Sequence, residues 1–160
     1  MTRWLDDSEQ QVWRDFLQVQ RLLEISNSQQ LAESGLSGPD FAVLVVLSDV
    51  PDGRRRAFEL GRELQWEKSR LSHHLTRMQG RDLVLREDCG SDRRGAYVAI
   101  TDAGRRALEA AAPGHVEHVR SKVFDVLSPS QVEELGKICT ALLRSLSTSP
   151  GPQERCPAEA

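Results

Sequence analysis

Apolar side chains recur every three or four residues along most of the chain, which is the spacing of amphipathic helices. The first such stripe follows Ser8 and Gln11, which we interpret as a capping box, and it predicts a helix to about Ser26 or beyond. The last stripe follows another capping box, formed by Ser128 and Gln131. Helices are therefore expected near both ends of the chain.

Three further helices are predicted between these ends. The first starts at Ser37, where Asp40 completes a capping box, and it is apolar nearly all round, so we expect it to be buried. Leu60 and Leu64 mark a short amphipathic helix, which we expect to cross the next helix closely at Gly61. That next helix carries a stripe of three apolar residues, Leu71, Leu75 and Met78.

Two short runs rich in β-forming residues follow, 83–87 and 97–100, and the polar loop between them predicts a β-hairpin. Thr101 then caps a long helix, in which Pro113 and Gly114 mark a kink or a break. The order of these elements is that of a helix-turn-helix with a wing. The predicted fold class is mainly α with a small β-hairpin wing and a helical dimerisation region.

Composition limits the class of protein. The 160 residues suit about one domain, and 39% apolar with 28% charged residues is ordinary for a folded protein. No apolar run approaches the roughly 18 residues of a membrane span, so we expect a cytoplasmic protein without a membrane partner. The three cysteines are odd in number and far apart, which argues against a disulfide framework or a structural zinc site.

Charge is distributed unevenly around the net value of −3. The segment from Arg54 to Arg106 holds 13 Lys and Arg residues against 8 Asp and Glu residues, whereas the rest of the chain is acidic. A basic segment inside an acidic protein indicates a surface that binds a polyanion. This segment is the one that contains the predicted helix-turn-helix and hairpin.

We interpret the helix with the Leu71 stripe as a recognition helix, because its opposite face carries cationic and hydrogen-bonding side chains suited to a DNA major groove. Arg55 is a further candidate, since the run 54–56 precedes a helix without an evident capping residue, whose N–H groups could bind a phosphate. A disordered linker is the alternative for that run. The predicted DNA-contacting residues here are Arg55, Lys68, Ser69, Arg70, Ser72, His73 and Arg77.

The hairpin loop places Arg93 and Arg94 at its tip, where a guanidinium can enter a narrow minor groove. Asp92 is expected to pair with Arg94 or Arg86 and to hold the loop in shape, while Gly95 supplies conformational freedom. The predicted wing therefore has two DNA-contacting residues and three supporting ones.

These motifs, from Ser69-Arg-Leu-Ser-His through Leu83-Val to Asp92-Arg-Arg-Gly, resemble the MarR family of winged-helix transcriptional regulators over roughly residues 8–147. The resemblance implies a homodimeric bacterial repressor or activator, and of these two we expect a repressor. It also implies a near-palindromic operator in double-stranded DNA, Arg94 in the minor groove with Asp92 as its partner, and release by a small aromatic or phenolic ligand.

Two departures from the family pattern are present. Asp82 stands where the family usually has glycine, and aspartate tolerates a left-handed backbone better than most residues, so the turn is expected to survive. The first helix also lacks the cysteine of the family's peroxide sensors, which argues against thiol sensing of that kind.

The flanks are expected to form the dimer and the ligand pocket. We assign residues 1–35 and 107–147 to a helical dimerisation region, 36–106 to the DNA-binding lobe and 148–160 to a disordered tail. The last helix carries apolar residues in 3-4-3-4 steps, as in a coiled-coil seam: Val132, Leu135, Cys139, Leu142 and Leu146. The candidate walls of the pocket are Trp13, Phe16 and Phe41, although such aromatics more often belong to a core.

Other functions are less well supported by the sequence. His115 and His118 are three residues apart with Glu117 beside them, but they lack a third ligand at suitable spacing, so neither a metal nor another cofactor is expected. The chain shows no nucleophile–base pair and no phosphate-binding glycine loop, so we do not expect an enzyme. The alternatives that stay open are a winged-helix module for protein contacts and a constitutive DNA-binding regulator without a ligand.

Overall fold

The structure, a computed structural model, describes residues 1–87 and 96–147. Within these ranges the chain forms six α-helices, three β-strands and one π-helical turn. In chain order they are α1 (Asp7–Glu33), α2 (Gly38–Ser48), β1 (Arg54–Arg56), α3 (Ala57–Leu64), α4 (Lys68–Gln79), β2 (Val84–Glu87), β3 (Tyr97–Ile100), α5 (Asp102–Val119), the π-helical turn (Arg120–Phe124) and α6 (Pro129–Ser147). The chain divides into two compact units, Met1–His118 and a second from Val119 onward.

Helix α1 begins earlier than the sequence predicts, and it extends beyond Ser26 as the prediction allowed. Its capping box is formed by Asp6 and Glu9, with the Glu9 N–H donating to the Asp6 carboxylate at 2.8 Å and the Asp6 N–H donating to Glu9 at 3.0 Å. The predicted box of Ser8 and Gln11 is therefore wrong, because two carboxylates at the positive end of the helix dipole cap it instead. The helix continues through the polar stretch after Ser26 to Glu33.

The capping boxes predicted for α2 and α6 are confirmed. Ser37 and Asp40 exchange backbone-to-side-chain hydrogen bonds of 2.9 and 3.2 Å at the start of α2. Ser128 and Gln131 exchange bonds of 2.8 and 3.3 Å at the start of α6. Each pair satisfies two N–H groups that a helix start leaves without intrahelical partners, so these boundaries are fixed by local sequence.

The three strands form an antiparallel sheet in the order β1-β3-β2. Strands β2 and β3 are the predicted hairpin, whereas β1 consists of the arginine run 54–56, for which a disordered linker was the alternative. That alternative is wrong, because β1 pairs with β3 and because Tyr97 lies under the guanidinium groups of Arg54 and Arg56, at 4.3 and 4.9 Å.

The start of α3 also has partners that the sequence did not reveal. The Arg56 N–H donates to the Glu59 carboxylate at 3.3 Å, and the Ala57 N–H donates to the Ala96 carbonyl at 3.0 Å. Two N–H groups at this helix end are thus satisfied by the protein itself. The case for a phosphate at this position is weakened accordingly.

The core of the first unit lies where α2, α3, α4 and the sheet meet. Its side chains are almost fully buried. Burying one such aliphatic side chain contributes about 1.5 to 3 kcal/mol to the free energy of folding. At Gly61 a Cβ atom would lie 3.3 Å from Leu71 Cδ2, which confirms that α3 and α4 approach closely there. The largest fully buried residues are Leu31, Val43, Leu44, Leu47, Leu60, Leu75, Met78, Val84 and Val98.

Helix α5 starts where Thr101 accepts a hydrogen bond from the Gly104 N–H at 2.9 Å, as predicted. It runs through Pro113 without interruption to Val119, so the predicted break is wrong. Contacts on both sides of the proline hold the helix together, since Ala111 is fully buried and His118 is hydrogen-bonded to Ser26 at 2.9 Å.

Among the described residues, no single helix combines the length and apolar character needed to cross a membrane; α1 and α2 meet that test only as a pair bent by 77°.

Candidate nucleic-acid interface

Helix α4 has one buried and one exposed face, as its sequence predicts. Leu71, Leu75 and Met78 are buried in the core. The opposite face is exposed and carries every candidate that the sequence placed on this helix: Lys68, Ser69, Arg70, Ser72, His73 and Arg77. The exposure of this cationic face is confirmed, and its contact with DNA stays a prediction.

A tight turn fixes α4 against α3. Gln65 adopts a left-handed conformation with φ of 54°, and the Trp66 N–H donates to the Gly61 carbonyl at 2.8 Å. Gly61 is buried, and an added Cβ atom would lie 3.3 Å from Leu71 Cδ2 and 3.4 Å from the Trp66 carbonyl oxygen, which is tight packing. Helix α4 is thus fixed against α3 by the turn and by the close approach at Gly61, and not by its exposed residues.

Trp66 positions one arginine of the exposed face. The Arg70 guanidinium lies 4.5 Å from the centre of the Trp66 ring, in a cation–π contact. The ring of Trp66 in turn meets the edge of His74, at a centroid distance of 5.3 Å and an angle of 86°. The indole is therefore more than core packing, because it orders a side chain on the predicted DNA surface.

A polar network beneath α4 holds a second arginine of that face. The Arg77 guanidinium lies 2.9 Å from His74 Nδ1, and His74 Nε2 lies 3.0 Å from the buried Asp40 carboxylate of α2. Arg81 donates to the other oxygen of Asp40 at 2.8 Å and also to the Gly35 carbonyl. The network thus runs from the exposed helix face into the core.

The buried groups of this network have shifted pKa values. Burial alone would raise the pKa of Asp40, but hydrogen bonds from Ser37 and the Arg81 guanidinium more than offset this, so the net shift is downward. Burial lowers the pKa of His74 and outweighs the opposite effect of Asp40, while Arg77 and Arg70 add to the lowering. A carboxylate and a neutral imidazole therefore lie side by side at neutral pH.

This network was not predicted from the sequence. Asp40 was identified only as a capping residue, and neither His74 nor Arg81 was singled out. One signal was present, since His74 occupies a core-facing position of the stripe that contains Leu71 and Met78. A histidine at such a position needs polar partners, because burying a polar ring without them is costly.

Two further candidate arginines make contacts inside the protein. Arg55 forms an ion pair with Glu63 at 2.7 Å, so part of its charge is already compensated. Arg86 donates from Nη2 to the Ser72 carbonyl at 2.6 Å, which joins β2 to the recognition helix. Arg86 thus supports α4 directly, a role that its assignment to the wing did not foresee. The other predicted wing residues, Asp92, Arg93, Arg94 and Gly95, lie outside the described residues.

The three predicted ligand-pocket residues take part in two separate ring contacts. Trp13 stacks with Phe16 on the exposed side of α1 at a centroid distance of 5.9 Å. Phe41 instead contacts His115, at 4.6 Å. Burial lowers the pKa of His115, and the neighbouring His118 acts in the same direction.

In the part of the chain that the structure describes, no group of three or more His, Cys, Asp or Glu residues is arranged to hold a metal ion.

The sequence and the fold of this chain are similar to those of known proteins. A model of the MarR family matches residues 34–95. AbsC, a MarR family transcriptional regulator from Streptomyces coelicolor, is 40% identical with a TM-score of 0.87, and the similarity covers 92% of this chain and 100% of AbsC. The chain belongs to the MarR family.

A second MarR family regulator from Streptomyces coelicolor, Sco3205, was solved in complex with DNA. It is 39% identical to the present MarR family chain, with a TM-score of 0.88, over 93% of this chain and 94% of its own. The HTH-type transcriptional regulator YkoM of Bacillus subtilis (strain 168) is 25% identical over 103 residues, and this alignment spans 64% of our chain and 65% of YkoM.

Membership of the MarR family confirms the predicted class, a DNA-binding transcriptional regulator that is not an enzyme. The mainly helical fold with a small antiparallel sheet is confirmed as well. The glycine that this chain lacks before Leu83 is replaced without loss of the turn, since Asp82 adopts a φ of 57°. That left-handed conformation is the one expected for the departure from the family pattern.

Proposed function

We propose that this protein regulates transcription as a homodimer that binds a near-palindromic operator, with repression as its mode of action. The observation that carries the proposal is the exposed cationic face of α4, whose arginines are ordered by Trp66 and His74. A regulator that is 39% identical, Sco3205, has been solved with DNA, which supports the same partner here.

In the proposed complex, α4 enters the major groove and the hairpin loop reaches the minor groove. Lys68 and Ser69, in the first turn of α4, suit the sugar–phosphate backbone, whereas Arg70 and His73 suit base edges. Arg93 and Arg94 are proposed to approach the minor groove, where negative potential is greatest when the groove is narrow. These two arginines keep the role that the family resemblance implies for them.

The proposed dimer rests on apolar side chains that a single chain leaves in water. In α1 these include Val12, Leu22 and Ile25, and in α6 they include Leu142 and Leu146, which are 45% and 70% exposed. Contiguous exposed apolar patches on a folded protein usually mark an interface. A second copy of this chain is the proposed cover, with 1–35 and 107–147 as the dimerisation region and 36–106 as the DNA-binding lobe.

We further propose that a small aromatic or phenolic ligand releases the DNA, with Trp13, Phe16 and Phe41 as candidate contacts. A constitutive regulator without a ligand is the alternative, and a melting screen with small aromatic compounds separates the two. A ligand that raises the Tm should also raise the Kd for the operator. A compound that raises the Tm without weakening DNA binding would contradict release by that ligand.

The central test is selection of binding sites from genomic DNA, followed by fluorescence anisotropy on the selected duplex and a scrambled one. We expect specific binding that weakens when Lys68 or Arg70 is changed to alanine. The matched control is Lys137→Ala, which removes an exposed charge from α6 on the side that helical spacing places opposite the predicted seam. Equal affinity for selected and scrambled DNA, together with binding of an acidic protein partner, would instead support a protein-interaction module.

A further inference from the structure

His74 is a buried residue of α4, and its side chain lies between the proposed DNA-binding face of this helix and the core. The His74 side chain is only 7% exposed, and its ring contacts Arg77 on one side and Asp40 on the other. Polar side chains at core positions are costly unless every polar atom has a partner. A leucine at this position of the apolar stripe would avoid the free-energy cost of burying a polar ring. The contacts of the ring indicate what it does there.

The two partners determine which ring nitrogen carries the proton. An arginine side chain has only donors, so His74 Nδ1, at 2.9 Å from Arg77 Nη2, must accept. An ionised carboxylate has only acceptors, so the proton is on Nε2, which lies 3.0 Å from Asp40 Oδ1. The second contact is close but is not a well-directed hydrogen bond. The Arg77 contact requires an unprotonated Nδ1, so the neutral imidazole carries its hydrogen on Nε2, beside Asp40.

Asp40 is itself held from three directions. The Ser37 N–H donates to Asp40 Oδ2, and the Asp40 N–H donates to the Ser37 hydroxyl oxygen. Arg81 also donates to Oδ2 and, in addition, to the Gly35 carbonyl. The carboxylate is 5% exposed, so it has little freedom to move. Arg77 at the surface is therefore tied through one imidazole ring to a rigid group in α2.

We propose that His74 is a positioning residue for DNA recognition, which holds the Arg77 guanidinium in place through its unprotonated Nδ1. The proposal rests on the proposed function of α4. An arginine that is ordered before binding loses less side-chain freedom on the DNA, and it presents its donors in one direction. His74 thus acts on the operator through Arg77 without touching it.

Protonation of His74 breaks the arrangement. Among the described residues, the groups that face its ring are Asp40 from α2, Arg77 and Arg70 from α4 itself, the Trp66 ring from the preceding turn, and Arg81 behind Asp40. A proton on Nδ1 removes the only acceptor for Arg77 on this ring and adds a positive charge beside two arginines. The preference for operator over scrambled DNA should therefore fall as His74 becomes protonated.

The first test uses the free protein, so its result does not depend on DNA binding. In protein with ¹⁵N-labelled histidine, the imidazole correlations of His74 should show the Nε2–H form, with Nδ1 acting as an acceptor. Arg77→Ala should move the Nδ1 resonance of His74 while leaving the Nε2–H form in place. A His74 ring protonated on Nδ1, or an Nδ1 resonance that ignores Arg77→Ala, would overturn the proposal.

The second test measures the ratio of operator to scrambled-DNA affinity by fluorescence anisotropy. His74→Asn keeps an acceptor near the position of Nδ1, whereas His74→Gln keeps a polar group only near Nε2. We expect the ratio to survive in His74→Asn and to fall about 3- to 10-fold in His74→Gln, as in Arg77→Ala. The double variant His74→Gln/Arg77→Ala should lose no more than Arg77→Ala alone.

Acidification separates positioning from a merely structural role. The pH is lowered from 7.5 until the imidazole resonances show that His74 is protonated in the folded protein, and over this range the ratio should fall more in the wild type than in His74→Asn. Both proteins contain His73, so its contribution cancels. Equal pH profiles, or His74→Gln with an unchanged ratio in a folded protein, would contradict the proposal. A wild type that does not discriminate the operator at all would overturn the proposed function instead, and the resonance test would still decide the contact between His74 and Arg77.

Discussion

At the scale of single residues, the predicted DNA surface depends on side chains that do not themselves face the DNA. Trp66 orders Arg70 and His74 orders Arg77, so each exposed arginine has a buried or half-buried aromatic ring behind it. Arg86 supports the same helix through the Ser72 carbonyl. Preorganisation of this kind reduces the entropy lost on binding and sharpens the direction of each donor.

Arg70→Ala should weaken operator binding by about 1 to 3 kcal/mol and relax discrimination at one or two symmetric base positions, if this arginine reads a guanine. Removing the ring behind it, in Trp66→Leu, should produce a smaller loss at the same base positions. Anisotropy on a set of single-base operator variants checks both, with Lys137→Ala as the charge control. Uniform weakening on every duplex would instead assign Arg70 to a phosphate.

The free energy of unfolding should fall between pH 7.5 and pH 5.5. Burial lowers the pKa of His74 and His115 in the folded state. As the pH falls through about 6.5, the unfolded chain therefore binds more protons at these histidines than the folded chain does, and this favours unfolding. Asp40 does not contribute in this window, because its lowered pKa costs stability only at more acidic pH. Urea titrations at fixed protein concentration measure the effect.

His74→Asn should flatten that dependence, since it removes one of the two imidazoles whose pKa is lowered by burial. The matched control is His73→Asn, which removes an exposed imidazole from the adjacent position of the same helix. A dependence as steep in His74→Asn as in the wild type would mean that His74 takes up its proton without cost to the fold.

At the scale of elements, local sequence determined the helices better than the strands. Helices α2 and α6 carry their own capping boxes, so their starts could be predicted from a few neighbouring residues. Strand β1 has three arginines and no apolar alternation, and it forms only because β3, some forty residues later, pairs with it. The His74 network is equally non-local, since Asp40 and Arg81 are far apart in the chain.

Gly104 is the position where α5 passes nearest to the start of the hairpin. An added Cβ atom would lie 2.2 Å from the Leu83 carbonyl oxygen, so Gly104→Ala should destabilise the fold by about 1 to 3 kcal/mol. The control is Gly136→Ala in α6, where a Cβ atom meets nothing within 4 Å and helix propensity should add up to about 1 kcal/mol. Chemical denaturation of both variants checks this; equal effects would contradict the close approach.

At the scale of the whole molecule, the exposed apolar residues of α1 and α6 imply that the folded chain does not act alone. We expect light scattering to give a dimer at micromolar concentration. Leu142→Glu should split or unfold that dimer, because a charge in the seam loses its hydration without gaining a partner. Thr140→Glu adds the same charge at an exposed position of the same helix that helical spacing places outside the predicted seam, so it should leave the dimer intact. A wild-type monomer would contradict the proposed assembly.

Two recognition helices related by a two-fold axis should read half-sites about one DNA turn apart, roughly 34 Å. Arg94→Ala should weaken operator and scrambled DNA more evenly than Arg70→Ala and should flatten the salt dependence by about one counterion per subunit. Anisotropy at several salt concentrations measures the slope. An unchanged affinity and slope in a folded Arg94→Ala protein would show that the loop does not reach DNA, and direct repeats in the selected sites would contradict the two-fold geometry.

Strand β1 also bears on how this protein behaves when many copies are crowded together. It is one edge of the three-stranded sheet, and an open edge invites a strand from another molecule to continue the ladder. Every residue along this edge is an arginine, so two such edges would bring six guanidinium groups into one seam. Mutual repulsion and the cost of dehydrating those groups should keep the sheet from growing between molecules. We therefore expect the arginine run to disfavour aggregation through this edge of the sheet.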